Sequence, residues 1–379
     1  MDLFLTEDQR AIRDMAASFT ADKITPFAAK WDEEHHWPRD VAEAGGELGF
    51  GSIFVPEELG GCGLSRFETA LIIEQMAMGC PSTSAMFSIH NMAVGMIATN
   101  GTPEQHAQFL PDLLSLKKMA SYCLTEPSSG SDAASLKTRA VKDGESYVLT
   151  GSKAFISGAG ESDVYVVMAR TSDNGAKGIS CFLVEKGTKG LSFGAPEKKL
   201  GWHSQPTAMV ILEDCRVPAT NRLGAEGYGF KIAMQGLDGG RLNIGACSLG
   251  GAQRALNEAI AYTKERKQFG KAIADFQSNQ FKLADMETEL MAARTLLYNA
   301  AQKVSMKAPD STKAAAMAKR FATDVGFNVV NNALQLFGGY GYVMDYPIEK
   351  LLRDLRVHQI LEGTNEIMRV IIAREMLKD

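Results

Sequence analysis

The sequence predicts a mainly α-helical protein with a β domain in its middle, and three changes of texture along the chain predict it. Apolar residues recur at helical spacing from Thr6 to about Ala120, short β-rich segments follow, and long helical runs return from Gly229 onward. The expected units are a helical N-terminal domain over 1–120, an antiparallel β middle domain over 121–229 and a helix bundle over 230–379. A chain of 379 residues also exceeds what one hydrophobic core usually holds.

In the first unit, acidic first turns mark helix starts, and breaks fall at PEELGG (56–61), at Cys80-Pro81 and at NGTP (100–103). The second unit carries SYVLTG (146–151), VYVVMAR (164–170), ISCFLV (179–184) and AMVIL (208–212), separated by Gly-, Lys- and Asp-containing turns. The third holds helical runs over roughly 230–264, 275–307 and 311–337, with GGYGY (338–342) and Pro347 breaking the helical pattern beyond them. Long helices in one block predict a bundle.

Composition narrows the function classes. With 45% apolar and 22% charged residues, a net charge of −5 and no block of like charges, the chain does not read as a nucleic-acid binder. No apolar run reaches the length of a membrane span, and the opening MDLFLTEDQR lacks the basic region and apolar core of a signal peptide. The expected location is the cytoplasm of a bacterium or, after processing, the mitochondrial matrix. The six cysteines never form a C-x-x-C pair and read as reduced thiols. Six histidines, with His35 and His36 adjacent, offer no helical metal spacing, so no metal is expected.

No G-x-G finds its third glycine, and there is no phosphate-binding G-x-x-x-x-G-K-[ST]. GLSFG (190–194) matches the G-x-S-x-G pattern of hydrolases. That pattern needs a strand, a sharp turn and a helix, whereas Ser192 is flanked by turn and strand residues.

Other stretches each admit two readings. SYCLTEPSSGSD (121–132) is either a surface loop of turn formers or a segment aiming N–H groups and hydroxyls at a phosphate or flavin edge. Phe155-Ile156-Ser157 is either strand core or an apolar wall beside a flat ring. ERKQFG (265–270) ends a helix with cations that complement its dipole, or places Arg266 on a pyrophosphate. QLFGG (335–339) stops a helix or permits close backbone approach. In ILEGTNEI (360–367), Glu362 is either an acid favoured at a helix start or a base in a dry pocket with a raised pKa.

In chain order, YCLTEPSSGSD, FISG, LDGGR, ERKQFG, LQLFGGYGY and ILEGTNEI resemble the acyl-CoA dehydrogenase family, over essentially the whole chain. The resemblance implies a helical domain, a β domain and a C-terminal four-helix bundle. It implies an FAD enzyme that turns a saturated acyl-CoA into a 2,3-enoyl-CoA, with Glu362 as the base that removes the α proton. A weak carbon acid needs a base of raised pKa and hydrogen-bond donors on the thioester oxygen. One such donor, in family terms, is the N–H of Glu362.

By the same resemblance Tyr122, Cys123, Leu124, Thr125 and Ser131 line the flavin, Ser131 also touches the CoA arm, and Phe155, Ile156 and Ser157 cover the isoalloxazine. Arg266 pairs with the FAD pyrophosphate of a neighbouring subunit, aided by Phe276 and Gln277. Gln335, Gly338, Gly339, Thr364 and Glu366 hold the adenosine part, and Asp238, Gly239, Gly240, Arg241 and Arg374 touch the thioester arm. The implied partners are acyl-CoA, an electron-transfer flavoprotein and further copies of the chain in a homotetramer.

Leu361 precedes the base where straight-chain members often carry tyrosine, and with GWHSQPT it points to a short branched acyl group: isobutyryl-CoA first, as in valine breakdown. Short straight-chain and 2-methylbutyryl substrates are the alternatives, since one methyl branch is worth about 1–3 kcal/mol in an apolar pocket. Asp238 replaces an expected asparagine, and Glu366 stands where other branches have glutamine. The rival activities are an acyl-CoA oxidase, a thioester hydrolase through Ser192, and a non-catalytic acyl-CoA-binding relative.

Overall fold

The computed structural model describes residues 5–378; the first four residues of the opening MDLFLTEDQR, on which the signal-peptide reading partly falls, lie outside them. Six helices come first: α1 (Glu7–Phe19), α2 (Ala28–Glu33), α3 (Arg39–Glu47), α4 (Arg66–Gly79), α5 (Pro81–Asn100) and α6 (Pro103–Leu114). Their starts are written locally. Thr6 with Gln9, Ser65 with Glu68 and Thr102 with Gln105 form reciprocal capping boxes, and Pro81 and Pro103 open α5 and α6.

Eight strands follow: β1 (Ala120–Cys123), β2 (Arg139–Asp143), β3 (Ser146–Ser157), β4 (Val164–Arg170), β5 (Ile179–Glu185), β6 (Leu191–Phe193), β7 (Thr207–Pro218) and β8 (Arg222–Leu223). They form one sheet in the order β6-β7-β3-β2-β4-β5-β8, with β1 beside β4. Most pairings are antiparallel as expected, but β1–β4 and β2–β4 are parallel. Both join strands separated by a crossover, so the chain enters them from the same end.

β4 and β5 read as unbroken apolar runs because both their faces are covered. Val164, Val166 and Met168 face the core shared with α5, α6 and the start of the next helix, while Tyr165, Val167 and Ala169 fill the sheet's other core. The sheet is thereby bolted to the helices on one side.

The last part comprises α7 (Gly229–Glu265), the short strands β9 (Lys267–Gln268) and β10 (Lys271–Ala272), then α8 (Gln277–Ser305), α9 (Ser311–Phe337), α10 (Ile348–Arg356) and α11 (Asn365–Met376). α9 packs against α7, α8, α10 and α11, and α7 also packs against α4 and α5. One hydrophobic core consequently runs from the first helices into the bundle. α7 contacts its neighbours closely because glycines line it: a Cβ on Gly250 would fall on the carbonyl of Glu74 in α4, and one on Gly245 on the Leu297 side chain of α8.

Candidate active site

Glu362 lies between α10 and α11. After α10 comes a single 3-10 turn, Val357–Gln359, and then Glu362 and Gly363 both take left-handed backbone, at φ +52° and +90°. Glutamate rarely adopts this conformation, so neighbouring groups must hold it. Lys319 of α9 donates from Nζ to the Gly363 carbonyl at 2.8 Å and to Asn365 Oδ1 at 3.0 Å. The Asn365 amide donates to Thr323 Oγ1 at 3.0 Å and to Asp324 Oδ1 at 2.7 Å, and Gln359 donates to the same Asp324 oxygen at 2.8 Å.

These anchors separate the two readings of Glu362. The N-cap of α11 is Thr364, whose Oγ1 accepts the Ile367 N–H, so Glu362 does not cap the helix. Its side chain turns toward α7 instead, where a Cβ on Gly240 would fall on Glu362 Oε2. Only glycine leaves room there. The residue keeps some exposed surface, but Oε2 is buried and has no hydrogen-bond partner among the described residues. Burial raises the carboxyl from 4.5 to about 7, against the opposite pull of Lys319 and Arg241. The Glu362 N–H likewise makes no hydrogen bond among the described residues.

Further polar atoms without partners point into the same region. Tyr122 OH on β1 and Arg241 Nε on α7 are buried and unpaired, and burial keeps the Tyr122 hydroxyl protonated. Arg241 NH1 donates to Asp238 Oδ1 at 2.6 Å, while Asp238 Oδ2 accepts from Thr312 Oγ1 at 2.8 Å. Gly236 and Gly240 pack against Met96 and Met92 of α5, and Gly239 against the Arg66 guanidinium, which lies 3.5 Å from the centre of the Phe54 ring. Orphaned polar atoms around Gly240, walled by thioethers and an aromatic ring, suit a ligand with a polar head and a short apolar tail.

The loop after β1 is braced from inside. Glu126 accepts the N–H groups of Lys137 at 2.6 Å and Thr138 at 2.9 Å, and pairs with Lys153 Nζ at 2.8 Å. Burial pushes the Glu126 carboxyl up, but Lys153 and these hydrogen bonds outweigh it and hold the group below its usual range. Lys153 also donates to the Leu124 carbonyl at 3.2 Å, and Ala154 N–H to the Thr125 carbonyl at 2.8 Å. The loop carrying Thr125 and exposed Ser131 is thus pinned to β3. Cys123 and Leu124 give their side chains to the cores, which leaves only their backbone for a ligand.

β3 shifts register against β7 between Lys153 and Ile156, and Phe155 within that bulge has φ +57°. The strand reading and the wall reading of this segment divide between neighbours. Ile156 is buried in the sheet, whereas Phe155 is 68% exposed beside the end of the braced loop. Ser157 Oγ donates to Gln205 Oε1 at 3.3 Å.

A second group of expected residues gathers elsewhere. Arg266, Gln335, Gly338 and Gly339 line a groove of about 1020 Å³ together with Tyr262, Asn279 and Tyr340. The Arg266 guanidinium stands 5.5 Å from the Tyr340 ring centre. Phe276 stacks edge-on with Phe269 near the groove, Gln277 is exposed at the start of α8, and none of the residues around Glu362 lines it. Glu366 is exposed and pairs with Arg369 at 3.4 Å, and Arg374 is exposed on α11 with no bond to Asp238 or Arg241.

Ser192 sits in the edge strand β6 with no helix after it, so the hydrolase elbow is not formed. Among the described residues no group of His, Cys, Asp or Glu is arranged to hold a metal.

Sequence reading missed Lys319, Arg66 and Lys153, and it gave Glu126 and Asn365 to the cofactor without their bracing roles. It also missed how GWHSQPT docks: Trp202 N–H donates to Asp354 Oδ1 at 2.6 Å, and its indole N–H to His358 Nε2 at 3.2 Å, four residues before Glu362. Lys319 carries one legible sign. It lies on the stripe Ala315, Lys319, Ala322, Val329, Val330 and Ala333, where every other residue is small or apolar.

Three family models cover the chain: the acyl-CoA dehydrogenase N-terminal domain over residues 6–117, the middle domain over 121–215 and the C-terminal domain over 227–377. A mitochondrial isobutyryl-CoA dehydrogenase of Dictyostelium discoideum is 57% identical, over 99% of this chain and 90% of the relative. Among solved structures, a chain from work on the electron transferring flavoprotein of Acidaminococcus fermentans superposes with a TM-score of 0.97 at 45% identity, covering 100% of both chains. Butyryl-CoA dehydrogenase from Megasphaera elsdenii superposes with a TM-score of 0.96 at 38% identity, again over 100% of both.

Proposed function

The chain belongs to the acyl-CoA dehydrogenase family, and from that premise we propose that it oxidises a short branched acyl-CoA, isobutyryl-CoA to methacrylyl-CoA, and passes the electrons to an electron-transfer flavoprotein. The observation that carries this reading is Glu362: a carboxylate oxygen buried without a partner, wedged against a glycine, with a pKa raised to about 7. Such a group is ionised enough near neutrality to accept a proton and basic enough to take one from a weak carbon acid.

The residues present fit FAD. Phe155 offers an exposed ring on a braced bulge, Thr125 and Tyr122 bring polar groups to the same end of the sheet, and the Arg266 groove has room for a nucleotide. When bound, FAD supplies the acceptor for the substrate's β hydrogen as hydride. Glu362 removes the α proton at its carboxylate, its unpaired N–H stabilises charge developing on the thioester oxygen, and Asp238 to Arg241 with Ser131 hold the thioester arm. Cys123, Leu124, Ile156 and Ser157 complete the flavin face, largely through backbone. Arg266, with Phe276, Gln277, Gln335, Gly338, Gly339, Thr364 and Glu366, serves the nucleotide half, and Arg374 the outer CoA arm. Met92 and Met96 wall the region around Gly240, and Leu361 just ahead of the base is the residue on which the preference for a short branched chain rests.

The division at residues 120 and 229 is the functional one in this reading. The β unit and the bundle each present one wall of the site. No helix among the described residues is long and apolar enough to cross a membrane, and we assign the chain to a bacterial cytoplasm or a mitochondrial matrix.

The test is the visible spectrum of the purified holoprotein under argon. Isobutyryl-CoA is expected to bleach the flavin band faster than butyryl- or 2-methylbutyryl-CoA does, and Glu362→Gln is expected to keep the band and lose the bleaching. Bleaching retained in that variant overturns the assignment of the base. Faster bleaching by butyryl-CoA overturns the branched-chain preference, and rapid peroxide formation in air transfers the chain to the oxidases.

A further inference from the structure

Lys319 has zero exposed surface, yet no carboxylate lies within ion-pair distance of it among the described residues. Its acceptors are neutral, a backbone carbonyl and an amide oxygen. A buried ammonium so placed is costly, and a methionine would fill the same volume in α9 without that cost. What distinguishes the position is where the two acceptors lie. Gly363 and Asn365 come just after Glu362 in the chain, so one ammonium grips the backbone on the far side of a glutamate held in left-handed conformation.

We infer that Lys319 is the positioning residue of the base: it fixes the Glu362–Gly363 turn through the Gly363 carbonyl and keeps a buried positive charge near the Glu362 carboxyl, beyond ion-pair distance. This rests on the reading of Glu362 as the base. The charged and titratable groups around that carboxyl are Lys319 from α9, Arg241 and Cys247 from α7, and Tyr122 from β1. Cys247 and Tyr122 are held protonated by burial, so Lys319 and Arg241 alone favour the carboxylate. Arg241 already shares its charge with Asp238 at 2.6 Å. Lys319 itself is pulled down to about 8 by burial, opposed first by Glu362, so each group stabilises the other's charge. Above that range the lysine loses its proton and the carboxylate its support.

The experiment is an infrared titration of the holoprotein. The carboxyl-stretch band that Glu362→Gln removes identifies Glu362 and reports its protonation without any turnover. In the parent its midpoint is expected near 7. In Lys319→Met and in Lys319→Gln, which keeps an amide donor but not the charge, the midpoint is expected to rise by about one pH unit or more. The pH at which isobutyryl-CoA bleaches the flavin at half its maximal rate is expected to rise with it. Lys319→Gln is expected to recover more of the maximal rate at high pH than Lys319→Met, because it retains a donor for the turn. An unmoved midpoint in either folded variant, with or without slower bleaching, overturns the proposal and leaves Lys319 a packing residue. A parent that shows the infrared midpoint but is bleached by no acyl-CoA instead overturns the function, so the two failures are distinct.

Discussion

The Glu362 carboxyl sits where ionisation is opposed, and folding therefore takes up a proton there. Between 4.5 and about 7 the folded chain binds more protons at this residue than the unfolded chain. Stability contributed by this group falls as pH rises through that window, and the loss is complete above about 7. Glu362→Gln removes it. The variant is expected to be more stable than the parent at pH 8, by on the order of 3 kcal/mol, and to approach the parent's stability toward pH 5. Urea unfolding of both proteins at the two pH values checks this; a variant less stable at pH 8 would mean that the carboxylate makes a favourable contact in the folded state. At this scale the motif pointed to Glu362, but the sequence could not name what holds it. Lys319 lies 43 residues earlier, and its meaning depends on two helices meeting, with only its place on an apolar stripe to mark it.

At the scale of elements, the long helices and strands β4 and β5 were legible to within a few residues because period and breakers are local signals. β3 and β7 run six residues past the segments read for them, and β1, β2 and β8 were not read as strands. The capping boxes at Thr6, Ser65 and Thr102 and the prolines at 81 and 103 sit where the helices begin. The parallel pairings of β1 and β2 with β4, and the bulge that turns Phe155 outward, were not legible, since both depend on which strand lies alongside. The brace beneath the loop after β1 belongs to the same class. Lys153 and Glu126 are both buried, and Glu126 also satisfies two backbone N–H groups. Lys153→Met leaves that carboxylate buried without its cation, which should cost about 3–5 kcal/mol. The loop carrying Thr125 and Ser131 should loosen with it. Thermal unfolding and FAD retention after gel filtration measure the two effects, and full retention of FAD alongside the stability loss would show that the brace serves the fold and not the cofactor.

At the scale of the whole molecule, the residues expected at one active site occupy two places in one chain. Glu362, Tyr122 and Gly240 converge, while Arg266, Gln335, Gly338 and Gly339 line a groove that none of the first group touches. Around that groove the surface carries Phe269 at 94% and Tyr342 at 87% exposure, which is unusual for aromatic side chains facing water. A second copy that covers these rings and brings its own nucleotide end to the groove accounts for both facts, and a closed symmetric oligomer makes every site complete in the same way. Two differently damaged chains should then complement each other. Arg266→Ala chains alone should hold FAD weakly, and Glu362→Gln chains alone should hold it but not be reduced. In mixed oligomers the first chain supplies Glu362 and the second supplies Arg266, so some sites regain both. Co-expression with two affinity tags, followed by tandem purification, isolates those hybrids. Isobutyryl-CoA should bleach a fraction of their flavin, whereas equal amounts of the two separate homo-oligomers, mixed without exchange, should give almost none. Hybrids as inert as that mixture would mean that Arg266 acts within its own chain.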